Sequence, residues 1–123
     1  MRLHSHKDLN VFKSAIELAV RIHELSQNFP PDEKYSLTDQ VRRSSRSVAT
    51  NIAEAFRKRR YPKSFISKLS DSEGEAAETQ VWLYFIETFG YLDSSVTEKL
   101  DSQYEHLLAQ LVTMIQSPEK WSM

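Results

Sequence analysis

Residues 57 to 63 read RKRRYPK and hold five cations in seven positions. Three more arginines precede them, so that the basic segment, residues 42–63, has eight cations and one acid. A guanidinium group can donate two parallel hydrogen bonds to a phosphate, and each neutralised phosphate releases counterions. The chemistry open to this segment is therefore salt-dependent phosphate contact. The candidate nucleic-acid contacts are Arg42, Arg43, Arg46, Arg57, Lys58, Arg59, Arg60 and Lys63.

Other kinds of site lack the residues that they need. The chain has no cysteine, which excludes disulfides and thiolate chemistry and fits a reducing compartment. Its only glycines, Gly74 and Gly90, cannot build a phosphate-binding glycine loop. Neither His23 nor His106 follows a glutamate at the spacing that a di-iron bundle requires. We expect no catalytic residue, no metal and no cofactor, and we expect that the protein is not an enzyme.

The charge is divided along the chain although the net charge is only −1. The basic segment carries +7, whereas residues 64–123 carry −7 and include Asp71, Glu75 and Glu78 on one side of a predicted helix. The cations can therefore contact nucleic acid, pair with the acidic side of a neighbouring subunit, or face solvent near a helix C-terminus. The small net charge and the presence of only Tyr61 among the clustered cations argue against strong non-specific binding and base stacking.

Four long periodic segments must position these charges. Few glycines and prolines and the lack of strand-like runs predict an all-α protein. The helices are expected from about Asp8, as N-cap, to Phe29; from Ser36, as N-cap, to Arg60; from near Pro62 to near Gly90; and from about Asp93 to Gln116. Long helices with short loops predict an antiparallel up-down four-helix bundle.

This bundle is expected to form one domain over residues 1–123, with short flexible ends at 1–7 and 117–123. The start of the chain has no apolar stretch like that of a signal peptide, and no window is apolar enough to span a membrane. We therefore expect a soluble, cytoplasmic protein that has no membrane partner.

Two of the predicted helices carry more apolar surface than one bundle requires. The second and fourth show one stripe each, whereas the first has two adjacent seams and the third has an aromatic line beside its core seam. Large exposed apolar patches mark association, so we expect a homo-oligomer; alternatively, tight crossings bury a wider arc within one copy. The candidate interface residues are Val11, Leu18, Ile22, Asp71, Glu75, Glu78, Trp82, Phe85 and Phe89.

Three segments carry a resemblance to a known family: LNVFKSAIELAVRIHELSQNFPPDEKYSL (9–37), YSLTDQVRRSSRSVATNIAEAF (35–56) and ETQVWLYFIETFGYL (78–92). Over about residues 7 to 116 the chain resembles bacterial four-helix bundle proteins first noticed in intervening sequences of large-subunit ribosomal RNA genes. That family is related to the accessory variability determinant protein of diversity-generating retroelements. Where the family commonly has glycine after NIAE, this chain has Ala55, which favours a continuous second helix.

The resemblance implies an up-down bundle that assembles into a ring, usually a homopentamer, with no established catalysis. It also implies RNA or DNA and a protein such as a reverse transcriptase as candidate partners, because the retroelement relative is a basic pentamer that binds both. We therefore expect a non-enzymatic homopentameric scaffold whose basic segment contacts RNA or DNA. The alternative is a purely structural oligomer whose basic and acidic faces pair between subunits.

Overall fold

Four long helices make up most of the computed structural model, which describes residues 3–121. They are α1 (Asn10–Ser26), α2 (Leu37–Arg57), α3 (Pro62–Phe89) and α4 (Ser94–Gln116). Three short 3-10 turns accompany them, and the described residues include no strand, so the predicted all-α class is confirmed. None of the helices in residues 3–121 has the length and apolar character that crossing a bilayer requires.

The ends of α3 and the start of α4 follow local signals in the sequence. Pro62 opens α3, where its missing N–H is no loss, and Gly90 ends it with a φ of +76°, a left-handed conformation that suits glycine. The carboxylate of Asp93 accepts a hydrogen bond from the Ser95 backbone N–H at 3.1 Å and so caps α4. These helix ends match the predicted positions.

Helix α1 begins and ends inside its predicted limits. Asp8 is not its N-cap, because this residue closes a preceding 3-10 turn, in which its carboxylate accepts from the backbone amides of His4 and Ser5 at 3.0 and 3.1 Å. These two backbone hydrogen bonds lower the pKa of Asp8. The cap position of α1 is Leu9, which has no side chain able to form a cap bond.

Helix α2 is also shorter than predicted. Ser36 holds the N-cap position, but its hydroxyl donates to Glu33 at 2.6 Å instead of capping the helix. The C-terminal end comes at Arg57 and not at Arg60, because the chain turns before Pro62. The proline ring disfavours helical geometry at the residue before it, here Tyr61. Helix α2 therefore cannot continue into α3.

The four helices form the predicted up-down bundle. Each helix packs against the next one in the chain, and α1 returns to contact α4. The pair α1 and α3 and the pair α2 and α4 lie diagonally across the bundle. Contact is most extensive between α2 and α3 and least extensive between α1 and α4, so that the α1–α4 side is the open side of the bundle.

The core takes one seam from each helix. On α1 this seam includes Val11, Leu18 and Ile22, which are 3–5% exposed, whereas Ile16 and Val20 are 41% and 52% exposed. Val11, Leu18 and Ile22 therefore lie in the core of one copy and leave almost no surface for the subunit interface in which they were predicted. The helix had two apolar seams, and only tertiary packing decides which of them turns inward.

Hydroxyl groups fix the register of α2 against α3 inside the core. The hydroxyls of Ser44 and Thr79 are 2.8 Å apart, and Thr79 also donates to the Glu75 carbonyl at 2.9 Å. The Ser72 hydroxyl donates to the Val48 carbonyl of α2 at 2.8 Å. Buried polar groups are tolerated when they are bonded in this way, and small side chains let the two helices approach closely.

The ends of the chain also contact the bundle. Leu3 and Trp121 pack against the core, and Pro118–Lys120 forms a 3-10 turn. Residues 1, 2, 122 and 123 lie outside the described part of the chain. The predicted flexibility of the two ends remains a prediction.

Tyr104 supplies a test of this core. Its side chain is fully buried, its hydroxyl has no hydrogen-bond partner among residues 3–121, and burial raises the pKa of the phenol. We expect Tyr104→Phe to raise the free energy of unfolding by about 1 kcal/mol, because it removes an unpaired buried polar group without opening a cavity. Urea denaturation measures this change.

Tyr91→Phe is the matched control. The Tyr91 hydroxyl donates to Glu33 at 2.9 Å, so its removal should lower the free energy of unfolding. A loss of stability in Tyr104→Phe comparable to that in Tyr91→Phe would contradict the packing described for α4.

Candidate nucleic-acid interface

The eight predicted phosphate contacts separate into two groups and one exception. Arg42, Arg43 and Arg46, the arginine stripe, lie in the first half of α2. The basic tip lies at the end of α2 and the start of α3 and consists of Arg57, Lys58, Arg60 and Lys63. Arg59 stands apart from both groups because its guanidinium is bound to its own turn.

Two members of the arginine stripe reach α1. The Arg42 Nε donates to the Ser26 hydroxyl at 2.7 Å, and Arg46 Nη2 lies 3.2 Å from His23 Nδ1. Since a guanidinium can only donate, this His23 nitrogen must accept the bond. Arg42 and Arg46 therefore bind α1 to α2, although Arg46 remains exposed enough to offer further N–H groups.

The third member of the stripe reaches α3 instead. The Arg43 guanidinium donates to Glu75 at 2.9 Å and to Glu78 in a second, shorter contact. Asp71 lies 3.7 Å from Lys68, which also pairs with Glu54 at 2.8 Å. The acidic residues predicted to meet a neighbouring subunit thus find cations within their own chain.

The pKa of Glu78 depends on opposing effects of burial and hydrogen bonding. Partial burial raises the pKa of this carboxyl, but hydrogen bonds from Trp82 Nε1 at 3.0 Å and from Arg43 outweigh it and lower the pKa below its ordinary value. The hydrogen bonds of Arg43, chiefly the one to Glu78 and less the one to Glu75, raise the pKa of Arg43. The Arg43 side chain is 45% exposed, so solvent screening keeps the stabilisation from this network small.

Among residues 3–121, the basic tip makes no such ion pairs, although Lys58 lies near enough to Glu54 to help lower the pKa of that carboxyl. Arg57, Lys58, Arg60 and Lys63 are exposed, and no ion pair involves them within the part of the chain that the structure describes. Tyr61, which was not among the predicted site residues, lies between them with 61% of its surface exposed. Its place inside the run RKRRYPK was the signal that could have added it to the site.

Arg59 is half-buried and serves the turn itself. Its guanidinium carbon lies 3.8 Å from the centre of the buried Phe56 ring, and its Nη1 donates to the Phe56 carbonyl at 2.9 Å. A cation stacked on a ring and bonded at a helix C-terminus stabilises that helix end. Arg59 therefore has a structural role in this turn, and its predicted contact with phosphate remains a prediction.

Aromatic side chains form a second exposed feature, on the outer surface of α3. Phe85 and Phe89, with Trp82 beside them, form the aromatic face, in which neighbouring ring centres lie 5.8 Å apart. Phe85 is 40% and Phe89 52% exposed, whereas Trp82 is half-buried. Val81 and Tyr84, which are also exposed, extend the apolar surface and were missed because they lie on neither predicted line.

The remaining surface offers little convergent chemistry. A groove of about 900 Å³ lies on the open α1–α4 side and is lined by residues that include Ser14, Arg21, Lys99 and His106. Within residues 3–121, no three His, Asp or Glu side chains lie close enough together to hold a metal ion.

Comparisons with known proteins give a family and a similar fold. The profile of a family described as 23S rRNA-intervening sequence protein matches residues 7–113. A crystal structure of a protein with unknown function from the S23 ribosomal protein family of Bacteroides thetaiotaomicron is similar, with 28% identity and a TM-score of 0.78. The alignment covers 86% of this chain and 95% of that one. No curated protein matches the chain.

The lowered pKa of Glu78 generates a prediction about acid. A carboxylate whose pKa is lowered by folding stabilises the native state above its unfolded-state pKa, here 4.5, and this contribution is lost as the pH falls through the lower, native value. We expect the free energy of unfolding to fall less steeply below this pH in Glu78→Gln than in the unaltered protein. The difference between the two total losses should be less than about 1 kcal/mol.

Urea denaturation from pH 7 down to about pH 3 measures the difference in slope. Glu24→Gln, on the exposed side of α1, controls for the loss of one negative charge. Parallel pH profiles for Glu78→Gln and the unaltered protein would contradict the pairing of Glu78 with Arg43 and Trp82.

Proposed function

We propose that this chain, which belongs to the 23S rRNA-intervening sequence protein family, is a non-enzymatic homo-oligomeric scaffold that binds nucleic acid. The observation that carries the proposal is the basic tip, whose four exposed cations have no ion-pair partner among residues 3–121. Phosphates are the ligands that satisfy such a cluster with the greatest gain from counterion release. The resemblance adds a ring of five chains as the assembly and a protein such as a reverse transcriptase as a candidate partner.

The two basic groups would contribute unequally to binding. Members of the arginine stripe must share their N–H groups with Ser26, His23, Glu75 and Glu78, and Arg43 faces two carboxylates that repel phosphate. In the basic tip, within residues 3–121, only Lys58 is known to interact with a carboxylate, that of Glu54, which already pairs with Lys68. The basic tip therefore supplies the main phosphate contacts, and the arginine stripe would extend them along α2.

Self-association is supported by the surface of α3. Exposure of two rings of the aromatic face to water, by 40% and 52%, is unfavourable in free energy, and such rings are typical of subunit interfaces. On α1, Ile16 and Val20 add exposed apolar area at a second place. Repetition of the basic tip around an oligomer would then make phosphate binding multivalent.

A purely structural oligomer with charges paired between subunits is less well supported. Its acidic partners Glu75 and Glu78 already bind Arg43 of the same chain, and Asp71 lies beside Lys68. Such an assembly would have to replace these ion pairs within one chain by ion pairs between subunits. At an exposed site this exchange stabilises the assembly very little.

One prediction of this proposal concerns nucleic-acid binding. Replacing Arg57, Lys58, Arg60 and Lys63 with Gln should weaken RNA binding and reduce its salt slope by about 3, because each lost single-strand phosphate contact removes about 0.7. Replacing Arg42, Arg43 and Arg46 with Gln should reduce the slope less. Fluorescence anisotropy of a labelled RNA over a range of salt concentrations measures both.

A variant with Lys7, Lys13, Arg21 and Lys99 replaced by Gln loses equal charge from exposed positions elsewhere and serves as control. Sedimentation of each variant should give the mass of the unaltered protein. If the tip variant and this control bind RNA equally well, the basic tip is not the site. If the arginine-stripe variant sediments as a smaller species, its arginines hold subunits together.

Another prediction of this proposal concerns assembly. Replacing Phe85 and Phe89 with Ser should shift the sedimenting species toward monomer, because two polar groups would enter an apolar interface. The helical circular dichroism should stay unchanged, since both rings lie outside the core. Tyr35→Ser, at a residue 84% exposed on another part of the surface, is the control. A folded double variant of unaltered mass would exclude the aromatic face from the interface.

A further inference from the structure

Resting on the proposed function, we infer that the basic tip prefers unpaired nucleotides to duplex, and that Tyr61 stacks on one of their bases. A lone tyrosine argued against stacking in the sequence, but the structure exposes 61% of Tyr61 beside the cations of the tip, so this one ring can stack on one base. Binding sites for single strands combine these same two elements, a positive surface that follows the backbone and a ring that stacks on a base. The ligand class is thus an unpaired stretch of RNA or DNA.

The backbone of Tyr61 is fixed while its ring is free. Its N–H donates to the Lys58 carbonyl at 2.9 Å, and its own carbonyl accepts from the Phe65 N–H at 2.9 Å. Pro62 follows and restricts the preceding residue to the extended conformation that Tyr61 has, with φ −113° and ψ 96°. A ring held on a fixed backbone has only its two side-chain torsions to order on binding, so stacking costs little entropy.

Arg59 makes the whole turn rigid from the other side. Because its guanidinium lies over the buried Phe56 ring and bonds the Phe56 carbonyl, the segment between α2 and α3 is tied to the core just before Tyr61. Arg59 acts in this site as a positioning residue. Its neighbours Lys58 and Arg60 remain exposed on either side of it.

Unpaired nucleotides fit this arrangement better than a duplex does. Within a duplex the faces of each base are covered by the neighbouring base pairs, so an exposed ring gains nothing from them unless the helix opens. An unpaired base can place a face on Tyr61 while the adjacent phosphates contact Arg60 and Lys63. The tip therefore gains a stacking contact with single strands that it cannot make with duplex.

The chain contains a matched comparison for this tyrosine. Tyr35 is 84% exposed and has Lys34 over its ring at 5.3 Å, so it also pairs an aromatic ring with a cation. Its neighbours in the chain are acidic, however, with Asp32 and Glu33 just before it. Phosphates are repelled there, and Tyr35 should not contribute to binding.

The experiment measures the affinity of the full chain for three labelled probes by fluorescence anisotropy. The probes are an oligouridylate and an oligothymidylate of about 12 nucleotides, within the span of known single-strand sites, and an RNA duplex of equal length. The variants are Tyr61→Ala, Tyr61→Phe and Tyr35→Ala. Circular dichroism of each variant checks that its helices are intact.

We expect the unaltered protein to bind both single strands more tightly than duplex. Tyr61→Ala should lose about 5- to 150-fold in single-strand affinity, the range for one stacked base, with duplex binding unchanged. Tyr61→Phe and Tyr35→Ala should match the unaltered protein. An equal loss on uridylate and thymidylate would assign the contact to the base; a loss on uridylate alone would assign the site to RNA.

Failure of this inference can be told apart from failure of the proposed function. If the unaltered protein binds the probes but Tyr61→Ala does so equally well, or loses single-strand and duplex affinity alike, only the stacking role is overturned. If the unaltered protein binds none of the three probes, nucleic-acid binding by the basic tip is overturned as well.

Discussion

Helix α3 has to satisfy three environments at once, and this constraint governs the rest of the molecule. One side buries Phe65, Leu69 and Leu83 in the core. A second side bears Glu75 and Glu78, which the guanidinium of Arg43 holds against α2. At the C-terminal end, Phe85 and Phe89 remain exposed because one copy of the chain has no helix left to cover them. The proposed assembly with further copies would cover these rings.

The same pairing divides the basic surface of α2. Arg43 cannot serve α3 and a phosphate equally well, and Arg42 and Arg46 already bridge to α1. The basic tip lies beyond the reach of these internal partners and keeps its cations available. Charge that looks continuous in the sequence thus falls into two parts: the cations in the first half of α2 bond to neighbouring helices, whereas those at its end are exposed and are the proposed phosphate contacts.

Most of the fold could be predicted from the sequence because its signals are local. Pro62, Gly90 and Asp93 mark helix ends through their own backbone preferences, and these ends were predicted correctly. The predicted N-cap at Asp8 was wrong because a 3-10 turn precedes α1 and uses this carboxylate. In the sequence, an acid that caps a helix cannot be told from one that closes such a turn. The length of the four helices and the shortness of their loops were enough to predict the bundle and its up-down order.

The candidate site was less predictable because it depends on how the helices are rotated against each other. Helical spacing put the arginine stripe on one outer surface, but spacing cannot show that Arg42 reaches α1 while Arg43 reaches α3. Nor could it decide between the two seams of α1, so Val11 and Ile22 were placed at the surface. The basic tip, by contrast, was visible in the sequence because consecutive residues at a helix end stay together in any packing.

The central claim, that one copy exposes more apolar surface than it can keep in water, is tested most directly by the native mass of the purified chain. Sedimentation or native mass spectrometry at rising concentration should give a multiple of the 14.3 kDa chain, and five copies is the number that we propose. A compact 14.3 kDa species that persists at high concentration would contradict the claim.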